Sequence, residues 1–124
     1  MNTYLLLLRD RLDADAPNPA EISPEDMQQI IDAYHSWSAN LAKQDLLLDG
    51  KKLTDGEGRV VTSGPGGIDV KDGPFTETKE VVGGFYLIRA ESFEHAVKLC
   101  EDHPHHQFGS IEIRGIDSLG DQPE

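Results

Sequence analysis

Tyr4-Leu5-Leu6-Leu7-Leu8, five apolar residues in an unbroken run closed by Arg9-Asp10-Arg11, constrain this chain more than any other segment. The run is too short for a helix and suits a strand buried on both faces. Phe85-Tyr86-Leu87-Ile88, entered through Gly83-Gly84, has the same character. A sheet built on two such strands can cover one face with helices, which leaves the other face needing cover. A homodimer packed sheet on sheet meets that need, because a monomer would present the apolar face to water.

Helix signals flank these strands. Ser23 can cap free N–H groups, Pro24 suits the first helical position, and Glu25 and Asp26 favour the positive end of the dipole. Met27, Ile30, Ile31, Tyr34, Ser38 and Leu41 then share one face, with Trp37 on its flank and His35 at its edge, so the helix should reach Lys43. A second helix starts at Ser92, places Phe93, Ala96, Val97 and Cys100 on one face, and ends before Pro104. Leu46–Leu48, Arg59–Thr62 and Ser110–Ile116 have strand character, the last through alternation of Ile111 and Ile113 with Glu112 and Arg114. Leu12–Ile22, centred on Pro17-Asn18-Pro19, has no period and reads as a surface loop or a lid, and Ser63–Gly67 reads as flexible punctuation. The order predicts one α+β domain over residues 1–124: an antiparallel sheet with helices on one face, in a split βαβ arrangement.

Composition narrows the function classes. Eleven Lys and Arg against 23 Asp and Glu give a net charge of −12, which repels nucleic-acid phosphates and anionic lipid. No apolar run approaches the roughly 20 residues of a membrane span. The short N-terminal apolar stretch has no basic region before it, so it does not read as a signal peptide. Cys100 is the lone cysteine and fits a reducing compartment, so a cytoplasmic location is expected. It lies on an apolar helix face and reads as a packed thiol.

The densest chemistry lies in Val70-Lys71-Asp72-Gly73-Pro74-Phe75-Thr76-Glu77-Thr78-Lys79-Glu80. A carboxylate held at a tight turn has the fixed geometry that general acid/base catalysis requires. Lys79 can keep Asp72 ionised or anchor an anionic substrate. The plainer alternative is that Asp72 caps its turn while Lys79 and Glu80 are solvated charges or ion pairs that staple a hairpin. His103, His105 and His106 surround Pro104, which breaks the helix that would aim them; with no second ligand cluster, no metal is expected. Gly64-Pro65-Gly66-Gly67 lacks the Lys-Ser/Thr of a phosphate loop, and no cofactor motif is visible.

Asp72–Phe75, the following Thr76-Glu77-Thr78-Lys79-Glu80 and Gly83–Ile88 together resemble the signature of the DGPF-type, YCII-related proteins. Weaker likeness covers nearly the whole chain. The resemblance implies a ferredoxin-like protomer of the dimeric α/β-barrel superfamily. The function of that family is generally unassigned. Relatives have been suggested to be enzymes because a His–Asp pair lies in a candidate pocket, and some are encoded with or fused to extracytoplasmic-function sigma factors. Carried onto this chain, Asp72 takes the place of the motif Asp, and His35 is a looser match for its partner.

The expectation is a small-molecule pocket with cofactor-independent acid/base chemistry. Asp72 is the base and His35 its partner; Lys79, Glu80, Phe75 and Arg9 are substrate-binding candidates. The competing expectation is a non-catalytic ligand-sensing or interaction module, with a regulatory protein partner and a link to transcription. The orientation of His35 separates the two, since a solvent-facing His35 favours the module.

Overall fold

A computed structural model describes residues 1–11, 18–73 and 80–117. The elements are β1 (Asn2–Arg11), α1 (Pro24–Lys43), β2 (Leu47–Lys52), β3 (Arg59–Gly64), β4 (Gly67–Asp72), β5 (Glu80–Ala90), α2 (Phe93–Cys100) and β6 (Gly109–Gly115). Short 3-10 turns occupy Pro19–Glu21 and Pro104–Gln107.

The two apolar strands lie side by side at the centre of a four-stranded antiparallel sheet of order β2-β5-β1-β6. With β3 and β4 set aside, this is the ferredoxin-like order, with one helix crossing after β1 and the other after β5. The expected α+β architecture is therefore the observed one. Along β1, burial alternates: Tyr4, Leu6 and Leu8 are buried, whereas Leu5 and Leu7 are only partly so. Tyr4 and Leu6 meet Trp37 and Leu41 of α1, Ala96 and Cys100 of α2, and Ile88 and Ala90 of β5 in one core. Both helices thus cover the same face. On the opposite face, register pairs Leu5 with Leu87 and Leu7 with Phe85.

α1 begins and ends by recognisable chemistry. The Ser23 side chain accepts from the Asp26 N–H at 3.1 Å. At the other end Asp45 turns left-handed (φ 61°), and the N–H groups of Asp45 and Leu46 return to the carbonyls of Ala42 and Leu41. That paired closure stops the helix and drops Leu46 into the core beside Leu41. The indole of Trp37 donates to the Leu99 carbonyl at 2.8 Å and fastens α1 to α2.

Two segments differ from the sequence expectation. Ser63–Gly67 is the tip of a hairpin in which β3 pairs with a strand, β4, that the glycines obscured. Gly67 takes a positive φ of 112° there. On α2, Phe93 and Val97 stay half exposed while Ala96 and Cys100 are buried, because the sheet contacts only one edge of the apolar face. Phe93 is held by an edge-on contact with Tyr4, with ring centres 4.9 Å apart. Of the loop expected at 12–22, residues 12–17 lie outside the described residues. None of the helices among the described residues is long and apolar enough to cross a membrane.

β6 approaches the end of β1 so closely that Gly109 admits no side chain, since a Cβ would overlap the Arg9 carbonyl oxygen. Backbone cannot swing aside as a flexible side chain can. We expect Gly109→Ala to cost about 1–3 kcal/mol. At roughly 3–6 °C per kcal/mol for a domain of this size, thermal unfolding should show a Tm lowered by several degrees.

Candidate active site

Strand alternation sends the neighbours Arg9 and Asp10 to opposite faces of the sheet. Asp10 follows Leu8 onto the helix-covered face. Beside it β5 carries one extra residue: Leu8 pairs with Gly84 and Arg9 with Val82, so Gly83 bulges opposite the Leu8–Arg9 step. A Cβ at Gly83 would overlap the Asp10 carboxylate. Glycine there makes the space that the carboxylate occupies.

The other half of the site comes from the chain around Pro104. His103 caps the 3-10 turn by accepting the His105 N–H on its Nδ1 at 3.0 Å. His103 lies 2% exposed among Tyr34, Trp37 and Tyr86, and its Nε2 lies 3.3 Å from the Tyr86 hydroxyl. The His105 ring reaches three groups. Its Nε2 is 3.0 Å from the Arg9 carbonyl and 3.4 Å from Asp10 Oδ1, and its Nδ1 is 2.8 Å from the Tyr34 hydroxyl. The side chain of His105 is 5% exposed and that of Asp10 33%, so the imidazole stands behind the carboxylate.

Asp10 opens onto a cavity of about 360 Å³ lined also by Leu53, Arg59, Val60, Val82 and Gly83. That volume suits a small organic molecule. Burial raises the Asp10 carboxyl above its ordinary range, against the pull of His105 and Lys52, and Asp55 adds to the rise. Burial also raises the Tyr34 and Tyr86 hydroxyls, so both keep their protons. It pushes the Cys100 thiol up to about 11, which makes it a poor nucleophile. His103 is held down to about 4, first by burial and then by its histidine neighbours, so it stays neutral. No cluster that could hold a metal ion occurs among the described residues.

The residues singled out from sequence lie elsewhere. Asp72 ends β4 with its side chain 92% exposed, 3.4 Å from Arg59. His35 is exposed on α1, because a step of one residue from Tyr34 turns it away from the core. The structure does not bring either into the Asp10–His105 pair, and the solvent-facing His35 meets the criterion that favours an interaction module. Arg9 points to the sheet face opposite Asp10, where it pairs with Glu112 at 2.9 Å. Phe75 and Lys79 lie outside the described residues, as does the side chain of Glu80. The sequence reading names neither Asp10 nor Tyr34 as a site candidate, and weighs His103 and His105 only as metal ligands. The signals were present, in a charge closing an apolar strand and in three histidines about a proline.

The profile of the YCII-related domain matches residues 4–119. No curated protein matches the chain in sequence. Among solved structures, one that matches is 5-chloro-2-hydroxyhydroquinone dehydrochlorinase from Burkholderia phenoliruptrix AC1100, in complex with 2,5-dihydroxybenzoquinone. It shares 19% identity, with 90% of each chain covered and a TM-score of 0.45.

The buried His103 sets an acid limit on stability. The unfolded imidazole takes up a proton near its ordinary 6.5, whereas the folded one does so only near 4. Its stabilising contribution is complete above pH 6.5 and is lost as pH falls from there to about 4, by roughly 3 kcal/mol. Chemical denaturation of wild type and His103→Gln between pH 7 and pH 4 should show the steeper loss in wild type.

Proposed function

The chain belongs to the YCII-related family, and on that premise we propose a small-molecule enzyme that performs cofactor-independent acid/base chemistry with Asp10 as its base. One observation carries this reading: a desolvated carboxylate forms the wall of a ligand-sized cavity, backed by a buried imidazole. Desolvation makes Asp10 a stronger base than a surface aspartate, and Leu53, Val60 and Val82 give the cavity beside it apolar lining. In this reading Asp10 removes a proton from a bound substrate, and the Arg59 guanidinium at the cavity rim stabilises the negative charge that develops. Arg59 donates to the Gly58 carbonyl at 2.7 Å, and the exposed Asp72 lies 3.4 Å from the guanidinium, outside the cavity lining.

The exposed His35 favours a second reading, in which the cavity binds a ligand without turning it over and the protein acts as a sensing module. Both readings bind a small molecule; only the first consumes it.

We also propose a homodimer. Leu5, Leu7, Phe85 and Leu87 form an apolar centre on the sheet face away from the helices, and a second copy packed face to face would cover it. Sedimentation at micromolar concentration should give a dimer, and Leu7→Glu should give a monomer.

A metabolite screen by thermal shift, followed by turnover assays on each binder, tests the catalytic reading. Asp10→Asn should bind the ligand, lose at least about 100-fold in kcat and unfold at a Tm no lower than wild type near pH 7, because it removes a charge that burial disfavours. Undiminished turnover by Asp10→Asn sinks the assignment. A ligand that wild type binds and never converts favours the module.

A further inference from the structure

The hydrogen bonds around His105 can be satisfied in only one way by a neutral ring. Its Nε2 faces the Arg9 carbonyl at 3.0 Å, and a carbonyl oxygen carries no proton to give. Nε2 must therefore be the N–H. The second group near it, Asp10 Oδ1 at 3.4 Å, also only accepts when ionised. Nδ1 is then the bare nitrogen, and the Tyr34 hydroxyl, 2.8 Å away, donates to it. The neighbouring histidine is fixed by the same reasoning. The His105 backbone N–H donates to His103 Nδ1, which leaves the His103 Nε2–H to donate to Tyr86.

We propose that Tyr34 is a positioning residue that locks His105 in the Nε2–H form and leaves Asp10 as the sole proton acceptor of the pair. This deepens the acid/base reading above and rests on it for its consequence in catalysis. His105 has no vacant nitrogen on the Asp10 side, and its far nitrogen is occupied by the tyrosine proton. Its one N–H is held by the Arg9 carbonyl, so the ring stands 3.4 Å from the carboxylate as a fixed neighbour that cannot take its proton. The proton balance follows. A substrate proton moves to the Asp10 carboxylate, which becomes the acid, while the His105 Nε2 proton and the Tyr34 hydroxyl proton stay in place. The same Asp10 oxygen then returns a proton to the product or to water at the cavity. The reaction class this fits is a proton shift along one face of a small carbon or oxygen acid, with one group taking and giving. A relay through the protein interior does not fit.

The tautomer can be read with no substrate in hand. In protein labelled with ¹⁵N-histidine, at about pH 7.5 and so above the ordinary imidazole range, long-range ¹H–¹⁵N correlation spectra distinguish the two nitrogens. His105→Gln assigns the signals. The expected wild-type pattern is a proton on His105 Nε2 alone. A proton on Nδ1, an averaged mixture of tautomers, or an imidazolium protonated on both nitrogens overturns the proposal. Tyr34→Phe should shift the His105 Nδ1 signal or mix the tautomers; a Tm change with an unaltered His105 signature reduces Tyr34 to a packing residue and overturns its role. If Tyr34→Phe does not fold, replacing tyrosine with 3-fluorotyrosine strengthens the donor without removing it and should shift the Nδ1 signal, and no shift overturns the role. These readouts separate the proposal from the function it rests on. A locked tautomer together with full turnover by Asp10→Asn defeats the catalytic reading and leaves the tautomer standing.

Discussion

The contact on which the site depends is the one between His105 and the end of β1. Its Nε2 bonds the Arg9 carbonyl at 3.0 Å, tying the 3-10 turn to a central strand of the sheet. Through Nδ1 the same ring reaches Tyr34 and therefore α1, and through its backbone N–H it reaches His103, Trp37 and Tyr86. Helix, turn and sheet meet in this one cluster of rings. The polar atoms inside it are paired with one another or with the Arg9 and Leu99 carbonyls, as burial at this depth requires. Such a cluster is rigid because few arrangements satisfy every donor, and rigidity is what a positioned carboxylate needs.

The sequence made the architecture far more legible than the site. Period and capping placed both helices, and the two apolar runs identified the central strands, because burial alone decides those patterns. β4 was obscured by the glycines at its start and by its full exposure, which removes any apolar alternation to detect. The site escaped for a different reason. Asp10 and His105 are 95 positions apart, and only the antiparallel pairing of β1 with β6 carries the turn that bears His105 to the end of β1. The motif around Asp72 stands out in the sequence because its chemistry is local. Pro104 does break the helix before the histidines, and it also starts a 3-10 turn that buries His103 and His105 and leaves His106 at the surface. A helix breaker says where one helix stops. It says nothing about how the next turn is used.

Asp10 has a glycine beside it on each neighbouring strand. Gly109 of β6 lies opposite it in register, and Gly83 bulges from β5 against its carboxylate. A side chain at Gly109 would press on the Arg9 carbonyl that accepts from His105, and one at Gly83 would displace the carboxylate itself. Glycine inside a strand weakens it, and burial of a carboxylate costs further stability. Neither feature helps the fold, and they coincide at a single residue facing a cavity. A strand end built for stability alone would space its neighbours to admit β-branched residues at both glycine positions and would place an apolar one at Asp10. The sheet gives up packing on both sides of one residue, and what it gains is a desolvated carboxylate with room in front of it and a fixed imidazole behind.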